Sequence, residues 1–232
     1  MTEKLFLDDS YLREATATVI AVLPGGILLD RTPFYARGGG QPGDAGTLAW
    51  EGGTLAVAEA VKGEDGAILH PVAGEPPPPG ATVTAVLDWE RRLGHMRMHT
   101  TLHLLCSLLP GAAVTGGQVG AAKSRLDFDL PDQPDRERIE AGLAALIAAD
   151  HPVTTEWVDE SVLDTNPGLV RTLSVQPPRG MGRLRLVRIG DVDLQPCGGT
   201  HVSATGQIGT VKVLKIENKG RQNRRISLAL GA

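Results

Sequence analysis

Three histidines and a separate cysteine–histidine pair are the residues of this sequence best suited to bind a metal ion. His95, His99 and His103 follow one another at intervals of four, so in a helix their side chains share one face. Two overlapping pairs, His95/His99 and His99/His103, each place two imidazoles near a single ion. The spacing does not choose between these pairs, and a lone pair is more often a polar surface feature than a metal site.

A second motif, CGGTH at residues 197–201, supplies a thiolate and another imidazole. Its two glycines permit a tight turn that brings Cys197 and His201 to one point. The alternative, a buried cysteine acting as a small apolar residue, fits poorly in a segment as polar as QPCGGTH. Two helical histidines with Cys197 and His201 form an N₃S donor set, which suits zinc better than calcium or magnesium.

The histidine motif lacks the acid of a zinc protease. In His-Glu-x-x-His proteases a glutamate beside the first histidine acts as the general base. Here Thr100 follows His99, and no acid lies between His99 and His103. Peptide hydrolysis by that mechanism is therefore not expected.

The elements that must position these motifs fall into two parts. Up to residue 87, short aliphatic and β-branched runs alternate with glycine-containing turns, which is typical of a small barrel or sandwich, and GEPPPPG at 74–80 is a predicted loop. From Asp88, a good N-cap, helical spacing continues to Pro110, and a second helix is predicted over Arg136–Ala149. The predicted strands are ATATVIAV, ILLD, TLAW, LAVAEAV, AILHPV and ATVTAVLD in the first part and RLDFDL, VTTEWV, RLRLVRI, TVKVLKI and RRISLAL in the second.

Composition excludes several classes of protein. The net charge of −4 argues against bulk attraction to nucleic acid or acidic membranes, so RNA contact would need a local basic patch. An aromatic content of 3% argues against a single-strand binder built on many stacking platforms. No apolar run reaches the roughly 20 residues of a membrane span, and two cysteines exclude a disulfide framework. A cytoplasmic protein without a membrane partner is expected.

Four segments together resemble one known family. HTTLHLL and CGGTH, with FYARGGGQPGDAG at 34–46 and IGTVKVLKIENKGRQNRRI at 208–226, are similar to the editing domain of alanyl-tRNA synthetase. The similarity is greater to the free-standing AlaX proteins of medium length, alanyl-tRNA editing enzymes that act in trans, and it extends from about Leu28 to Leu230. The histidine and Cys-x-x-x-His motifs are shared with the threonyl-tRNA synthetase editing domain, whereas the glycine-rich segment favours the alanine system.

The resemblance implies an α+β fold class with a small β-barrel domain over 1–87, carrying the glycine-rich motif, and an α+β zinc-binding editing domain over 88–232. It implies an ATP-independent aminoacyl-tRNA deacylase that protects translation fidelity. Its substrate would be alanine tRNA mischarged with serine or with glycine, and the reaction would be zinc-assisted attack of water on the aminoacyl ester. The implied zinc ligands are His99, His103, Cys197 and His201, which leaves His95 as an orienting, RNA-facing or surface residue. No side-chain nucleophile is assigned.

Selecting serine over alanine requires groups that read a hydroxyl, because an apolar pocket discriminates an added hydroxyl only weakly. The candidate substrate-binding residues are Gln118, Gln41, Thr115 and Thr32, although Gln41 could equally be a turn residue and Gly38–Gly40 could form a simple turn. Basic residues that flank the motifs are candidate RNA contacts, although charge runs are usually solvated faces. They are Arg91, Arg92, Arg97, Lys219, Arg221, Arg224 and Arg225.

Two other functions fit the same residues. The first is a zinc-stapled tRNA-binding module without hydrolytic activity, and the second is a hydrolase for another aminoacyl-tRNA or small ester. The sequence leaves open whether the protein is a monomer or a homodimer.

Overall fold

The computed structural model describes residues 2–173, 177 and 179–231. The chain forms two compact units, Met1–Leu93 and Gly94–Ala232, and strands predominate over helices in both. The units divide inside the first helix, six positions after the boundary at 87/88 predicted above. The assignment of separate barrel and editing domains remains a prediction.

Unit 1 is built on a seven-stranded antiparallel sheet that curls into a half-barrel. The strands of the unit are β1 Glu3–Lys4, β2 Glu14–Leu23, β3 Gly26–Leu29, β4 Arg31–Thr32, β5 Gly46–Trp50, β6 Gly53–Val57, β7 Val61–Lys62, β8 Ile68–His70 and β9 Thr82–Leu87. The sheet has the order β6-β5-β9-β2-β3-β8-β7. The long strand β2 pairs with β9 over its first half and with β3 over its second, and the register shifts between Val19 and Ala21. A bridge from Val57 to Val72 links the end of β6 to the segment after β8. Strands β1 and β4 form a separate parallel pair.

Alternating residues of these strands form the core of unit 1. Val19, Ile27, Leu29, Leu48 and Val83 are buried, as expected for strands with one face toward a core. The segment LAVAEAV is two short strands rather than the single strand predicted, because Ala58–Ala60 leave the sheet between β6 and β7. At this interruption the Ala60 N–H donates to the Asp44 carbonyl at 2.8 Å.

The glycine-rich segment forms a tight turn. Gly39 and Gly40 both have positive φ, at 56° and 81°, and Gly38 and Gln41 exchange backbone hydrogen bonds of 3.0 and 2.9 Å. This conformation is that of a type I′ turn, which requires two consecutive residues with positive φ. Gly38–Gly40 are therefore part of a turn, while approach of a substrate to this backbone remains a prediction.

A buried ion pair anchors the same segment. Arg92 and Asp44 are both fully buried, and the Arg92 Nε lies 3.0 Å from each oxygen of the Asp44 carboxylate. The guanidinium also donates to the carbonyls of Ser10 and Pro33 at 2.9 and 2.6 Å. The prediction that Arg92 contacts RNA is wrong, because its charged group is enclosed in unit 1 and paired there.

Within the described residues, unit 2 combines two antiparallel sheets with two α-helices and with the part of the first helix from Gly94 onward. Helix α1, Trp89–Leu108, confirms the predicted helix, and the Asp88 carboxylate accepts the Arg91 N–H at 3.1 Å as an N-cap. Helix α2, Arg136–Ala148, begins at the N-cap Asp135. The remaining elements are β10 Ala113–Gln118, β11 Lys123–Asp129, β12 Val153–Asp159, α3 Val162–Thr165, β13 Arg183–Ile189, β14 Asp193–Pro196, β15 Val211–Gly220 and β16 Asn223–Leu230.

The two sheets of unit 2 have the orders β10-β11-β16-β15 and β12-β13-β14. Strands β10 and β14 were not predicted. Among helices that the described residues form, none has both the length and the apolar character needed to cross a membrane.

Candidate metal centre

Four side chains of unit 2 converge on one point. Helix α1 supplies His99 and His103, and the turn after β14 supplies Cys197 and His201. One potential ligand atom from each lies within 4.8 Å of the other three. The Cys197 Sγ is 3.6 Å from the His99 Nε2 and 3.3 Å from the His201 Nε2. This cluster could hold a metal ion.

His95 is not a member of this cluster, although it lies one turn earlier on α1. Its side chain is buried, with 2% exposed. The surface and RNA-facing roles considered for His95 are therefore excluded by its burial.

Two buried residues orient the ring of His103. The Asp193 carboxylate accepts a hydrogen bond from the His103 Nδ1–H at 2.9 Å, which leaves Nε2 free to act as a ligand. The Asp193 side chain is only 1% exposed. The Gln195 amide donates to both carboxylate oxygens of Asp193, at 2.9 and 3.0 Å, and so fixes the carboxylate in turn.

Thr100 orients the ring of His201. The Thr100 hydroxyl donates to the carbonyl of Met96 one helical turn earlier, at 2.9 Å. Its oxygen can then accept from the His201 Nδ1–H, 3.1 Å away, so that the His201 Nε2 faces the thiol. The position at which a zinc protease carries glutamate thus holds a residue that orients a ring.

Arg185 holds the backbone of the cysteine-containing turn. Its NH1 donates to the carbonyls of Cys197 and Gly199 at 2.8 and 3.0 Å, and the Cys197 N–H returns a bond to the Arg185 carbonyl at 3.1 Å. The Gly199 N–H points at the Cys197 Sγ at 3.4 Å, which favours a negative sulfur. Both the side chain and the backbone of Arg185 therefore fix this turn.

The electrostatics of the cluster favour a thiolate. Burial by itself raises the pKa of Cys197, but the charges of His99 and His201 and hydrogen bonds within the cluster bring it well below its ordinary value. Burial also acts to lower the pKa of His103, yet Asp193 and Cys197 outweigh it and raise that pKa to about 10. Burial, followed by the charge of His99, lowers the pKa of His201 to about 3. These influences favour the thiolate form of Cys197 and the protonated form of His103.

These observations show that the donor set fits a transition metal. Both buried ring nitrogens that face away from the cluster are already engaged, at His103 and His201, which is the arrangement usual around metal-bound histidines. A thiolate with imidazoles is the donor combination that soft or borderline ions such as zinc prefer.

The four predicted substrate-binding residues divide between the units. In unit 2, Gln118 is exposed at the end of β10, and the Thr115 hydroxyl lies 3.3 Å from the Asn223 side-chain oxygen. In unit 1, Thr32 is fully buried and its hydroxyl contacts the His70 Nε2 at 2.8 Å, while Gln41 is buried at the glycine turn. Their roles in substrate binding remain predictions.

The predicted RNA-binding residues are also placed very differently. Arg224 is buried, and its guanidinium donates to backbone carbonyls including that of Gly220 at 3.1 Å, so the prediction that it contacts RNA is corrected to a structural role in the β15–β16 hairpin. Arg225 forms a two-point ion pair with Asp127 at 2.7 and 2.8 Å.

The other basic candidates are less enclosed. Arg91 donates to the Gly43 carbonyl at 3.1 Å, and Arg97 donates to the Ile208 carbonyl at 2.7 Å. Lys219 contacts Glu217 at 3.3 Å, and Arg221 is exposed at the turn of the same hairpin. The exposed candidates thus lie at the tip of the β15–β16 hairpin.

Sequence reasoning missed Asp193, Gln195, Thr100 and Arg185. A signal for the first two exists, since in an extended strand alternate residues share a face and DLQPC places Asp193, Gln195 and Cys197 together. Thr100 and Arg185 carry no such signal, because their roles depend on contacts made by the folded chain.

Comparison with known proteins gives a consistent result. The family described as "Threonyl and Alanyl tRNA synthetase second additional domain" matches residues 184–227, and "tRNA synthetases class II (A)" matches residues 6–91. The alanyl-tRNA editing protein AlaX-M of Methanosarcina mazei is 38% identical, over 99% of this chain and 97% of that protein. The AlaX-M protein of Saccharolobus solfataricus is 32% identical over 97% and 98%.

Alanine–tRNA ligases match over a part of their length. The ligase of Archaeoglobus fulgidus is 38% identical over 94% of this chain, which spans 24% of the ligase. The AlaX-M proteins, by contrast, match from end to end. This chain belongs to the AlaX-M family of alanyl-tRNA editing proteins.

Proposed function

We propose that this protein is a trans-acting deacylase that hydrolyses the aminoacyl ester of mischarged alanine tRNA, with zinc held by His99, His103, Cys197 and His201. The observation that carries the proposal is the convergence of these four residues, in a chain whose full length matches AlaX-M proteins. The mischarged amino acid would be serine or glycine. The protein would act in the cytoplasm, where charged tRNA is used.

The chemistry suits the residues present. An aminoacyl ester is already an activated acyl group, so the protein needs to position the ester and a water more than it needs a strong nucleophile. Zinc, when bound, would polarise the water or the ester carbonyl, or orient the substrate. The chain itself contributes a rigid ligand set, because Asp193, Thr100 and Arg185 fix the ring and turn orientations described above.

A second function has one observation in its favour. Four protein ligands close a tetrahedral site, and closed zinc sites are usually structural. A zinc-stapled tRNA-binding module without hydrolysis would use the same cluster. We favour the deacylase, with zinc positioning the substrate, because the AlaX-M relatives are named as editing proteins.

The test is a deacylation panel with alanine tRNA carrying serine, glycine or alanine, and threonine tRNA carrying threonine. Wild type is compared with Cys197→Ala, and Ser107→Ala is the control because the Ser107 hydroxyl donates to the Leu104 carbonyl on α1 outside the cluster. We expect release of serine or glycine by wild type and Ser107→Ala, and loss of this release together with zinc in Cys197→Ala.

Three outcomes distinguish the alternatives. Binding of tRNA without release of any amino acid favours the binding module. Release of threonine in preference to serine favours a hydrolase for another aminoacyl-tRNA. Equal rates for wild type and Cys197→Ala overturn the metal-centred mechanism.

RNA contact is proposed for the exposed basic residues at the hairpin tip, chiefly Arg221 and Lys219. Phosphate contacts are electrostatic and release counterions, so they weaken as salt rises. Charge reversal of Arg221 is expected to lower tRNA affinity without changing zinc content.

A further inference from the structure

An exposed tryptophan lies on the sheet that carries the cysteine of the cluster. Trp157, in β12, is 42% exposed, in a chain with only three tryptophans. The Arg183 guanidinium lies over its indole ring, 5.7 Å from the ring centroid. A planar cation beside an open aromatic face is an arrangement that also accepts a third flat group.

The sheet register places Trp157 on the same face as the metal cluster. Trp157 pairs directly with Arg185 on β13, and the Cys197 N–H bonds to the Arg185 carbonyl on the next strand. Residues directly opposite one another across strands share a face, so these three side chains form one row. Two inter-strand steps separate Trp157 from Cys197, which is about 10 Å.

Both faces of the sheet are packed at its central strand. Leu184 and Leu186 are buried on one face in a cluster with Leu163 and Val158. On the other face, which Trp157 shares, Arg185, Val187 and Ile189 are buried as well. Trp157 remains exposed because β12 is an edge strand, so its indole lies at the border of the buried face that carries the cluster.

We propose that Trp157, backed by Arg183, stacks with the adenine base of the terminal nucleotide of the tRNA. The inference rests on the proposed function and deepens it. In the substrate the amino acid is esterified to the terminal ribose, so the base and the ester are separated by a single sugar. The backbones of Trp157 and Cys197 lie about 10 Å apart by strand spacing, which is comparable to the length of one nucleoside.

The acceptor end of tRNA supplies the chemistry that this surface can recognise. It is single-stranded, and unpaired bases are recognised by stacking on aromatic side chains and arginine planes. Stacking fixes the position of the base without a code of hydrogen bonds, which is sufficient at an end that all tRNAs share. Trp157 would thereby set the distance between the ester and the cluster.

The experiment removes the Trp157 side chain and the terminal adenosine of the tRNA, separately and together, and measures binding affinity. Uncharged alanine tRNA, and the same tRNA lacking its terminal adenosine, are titrated against wild type, Trp157→Ala and Trp157→Phe. The matched control is Ile20→Ala, which truncates a similarly exposed (46%) apolar side chain on a strand of unit 1. Melting temperature and zinc content verify that each variant is folded and loaded.

We expect wild type, Trp157→Phe and Ile20→Ala to prefer the intact tRNA. Removing one stacked base should weaken the binding affinity roughly 5- to 150-fold. In Trp157→Ala the preference disappears, because the base has lost its partner. A preference of the same size in Trp157→Ala as in wild type, or no preference in wild type, overturns the proposal.

Serine release, measured on the same wild-type preparation, reports the proposed function separately. Release together with equal affinities for the two tRNAs leaves the deacylase standing and removes the stacking role. A Trp157-dependent preference without release supports stacking in a binding module.

Discussion

Replacing Asp193 with asparagine should weaken metal binding while leaving all four ligands in place. The Asp193 carboxylate accepts three hydrogen bonds, one from the His103 Nδ1–H at 2.9 Å and two from the Gln195 amide at 2.9 and 3.0 Å. An asparagine has one accepting oxygen and one NH₂ group, so it keeps an acceptor for one position of the carboxylate and places a donor at the other. One donor is left facing another donor, or His103 loses its charged acceptor.

The size of the effect follows from these contacts. Removing a carboxylate that orients a ligating histidine costs roughly 10- to 100-fold in metal affinity, or about 1.4 to 2.7 kcal/mol. The upper part of that range is expected here, because the Asp193 side chain is 1% exposed and water cannot replace it. Competition with a chelator of known zinc affinity measures the change.

The number of protons released provides an independent readout. Asp193 is one of the groups that raise the pKa of His103 to about 10, so metal-free wild type carries a proton there that binding must displace. In Asp193→Asn the His103 pKa falls, and fewer protons are released per zinc at pH 7.5. Asp191→Asn is the matched control, since Asp191 is an exposed carboxylate in the same β13–β14 connection. Unchanged zinc affinity and proton release in Asp193→Asn, in a folded protein, would refute the reasoning.

Three further outcomes are expected. His70 is buried and its pKa is lowered to about 4, so the unfolded chain binds more protons than the folded protein between about pH 6.5 and 4. The free energy of unfolding should therefore fall as the pH drops through this range, by at most about 3 kcal/mol. Urea titrations of wild type and His70→Asn should diverge in the same range. Arg92→Met leaves the buried Asp44 carboxylate without its cation, which should lower the free energy of unfolding in urea by about 3–5 kcal/mol. Arg31→Met, at a half-exposed ion pair, should lower it by less than about 1 kcal/mol. Raising salt from 50 to 200 mM should weaken tRNA binding, and an affinity independent of salt would contradict a basic contact surface.

The long helix and its cap could be predicted because local chemistry determines them. Asp88 precedes a continuous helical pattern, and the resulting spacing puts His99 and His103 on one face. The strand β10, by contrast, was missed because AVTGGQ combines two glycines with polar ends. It forms through pairing with β11, an interaction that local propensity does not report.

The predictions that failed depended on tertiary contacts. Arg91 and Arg92 are adjacent in the sequence but point in directions about 100° apart on a helix, and only Arg92 is directed at the buried Asp44. LAVAEAV reads as one strand, yet Ala60 is bonded to both Arg37 and Asp44 of the glycine-rich segment and so leaves the sheet. In both cases the partner is distant along the chain.

The candidate metal centre joins two segments that are synthesised far apart in time. His99 and Cys197 are separated by 98 positions, so the donor set becomes complete only after most of the chain has left the ribosome. Under the proposal that the cluster binds zinc, metal uptake is then a late event in biosynthesis. A metal ion that joins residues so far apart in sequence lowers the conformational entropy of the unfolded chain. Metal binding would therefore stabilise the fold as well as support the chemistry. In a zinc-starved cell the newly made protein should be less abundant before it is less active, since the unloaded chain is the one that proteases reach first.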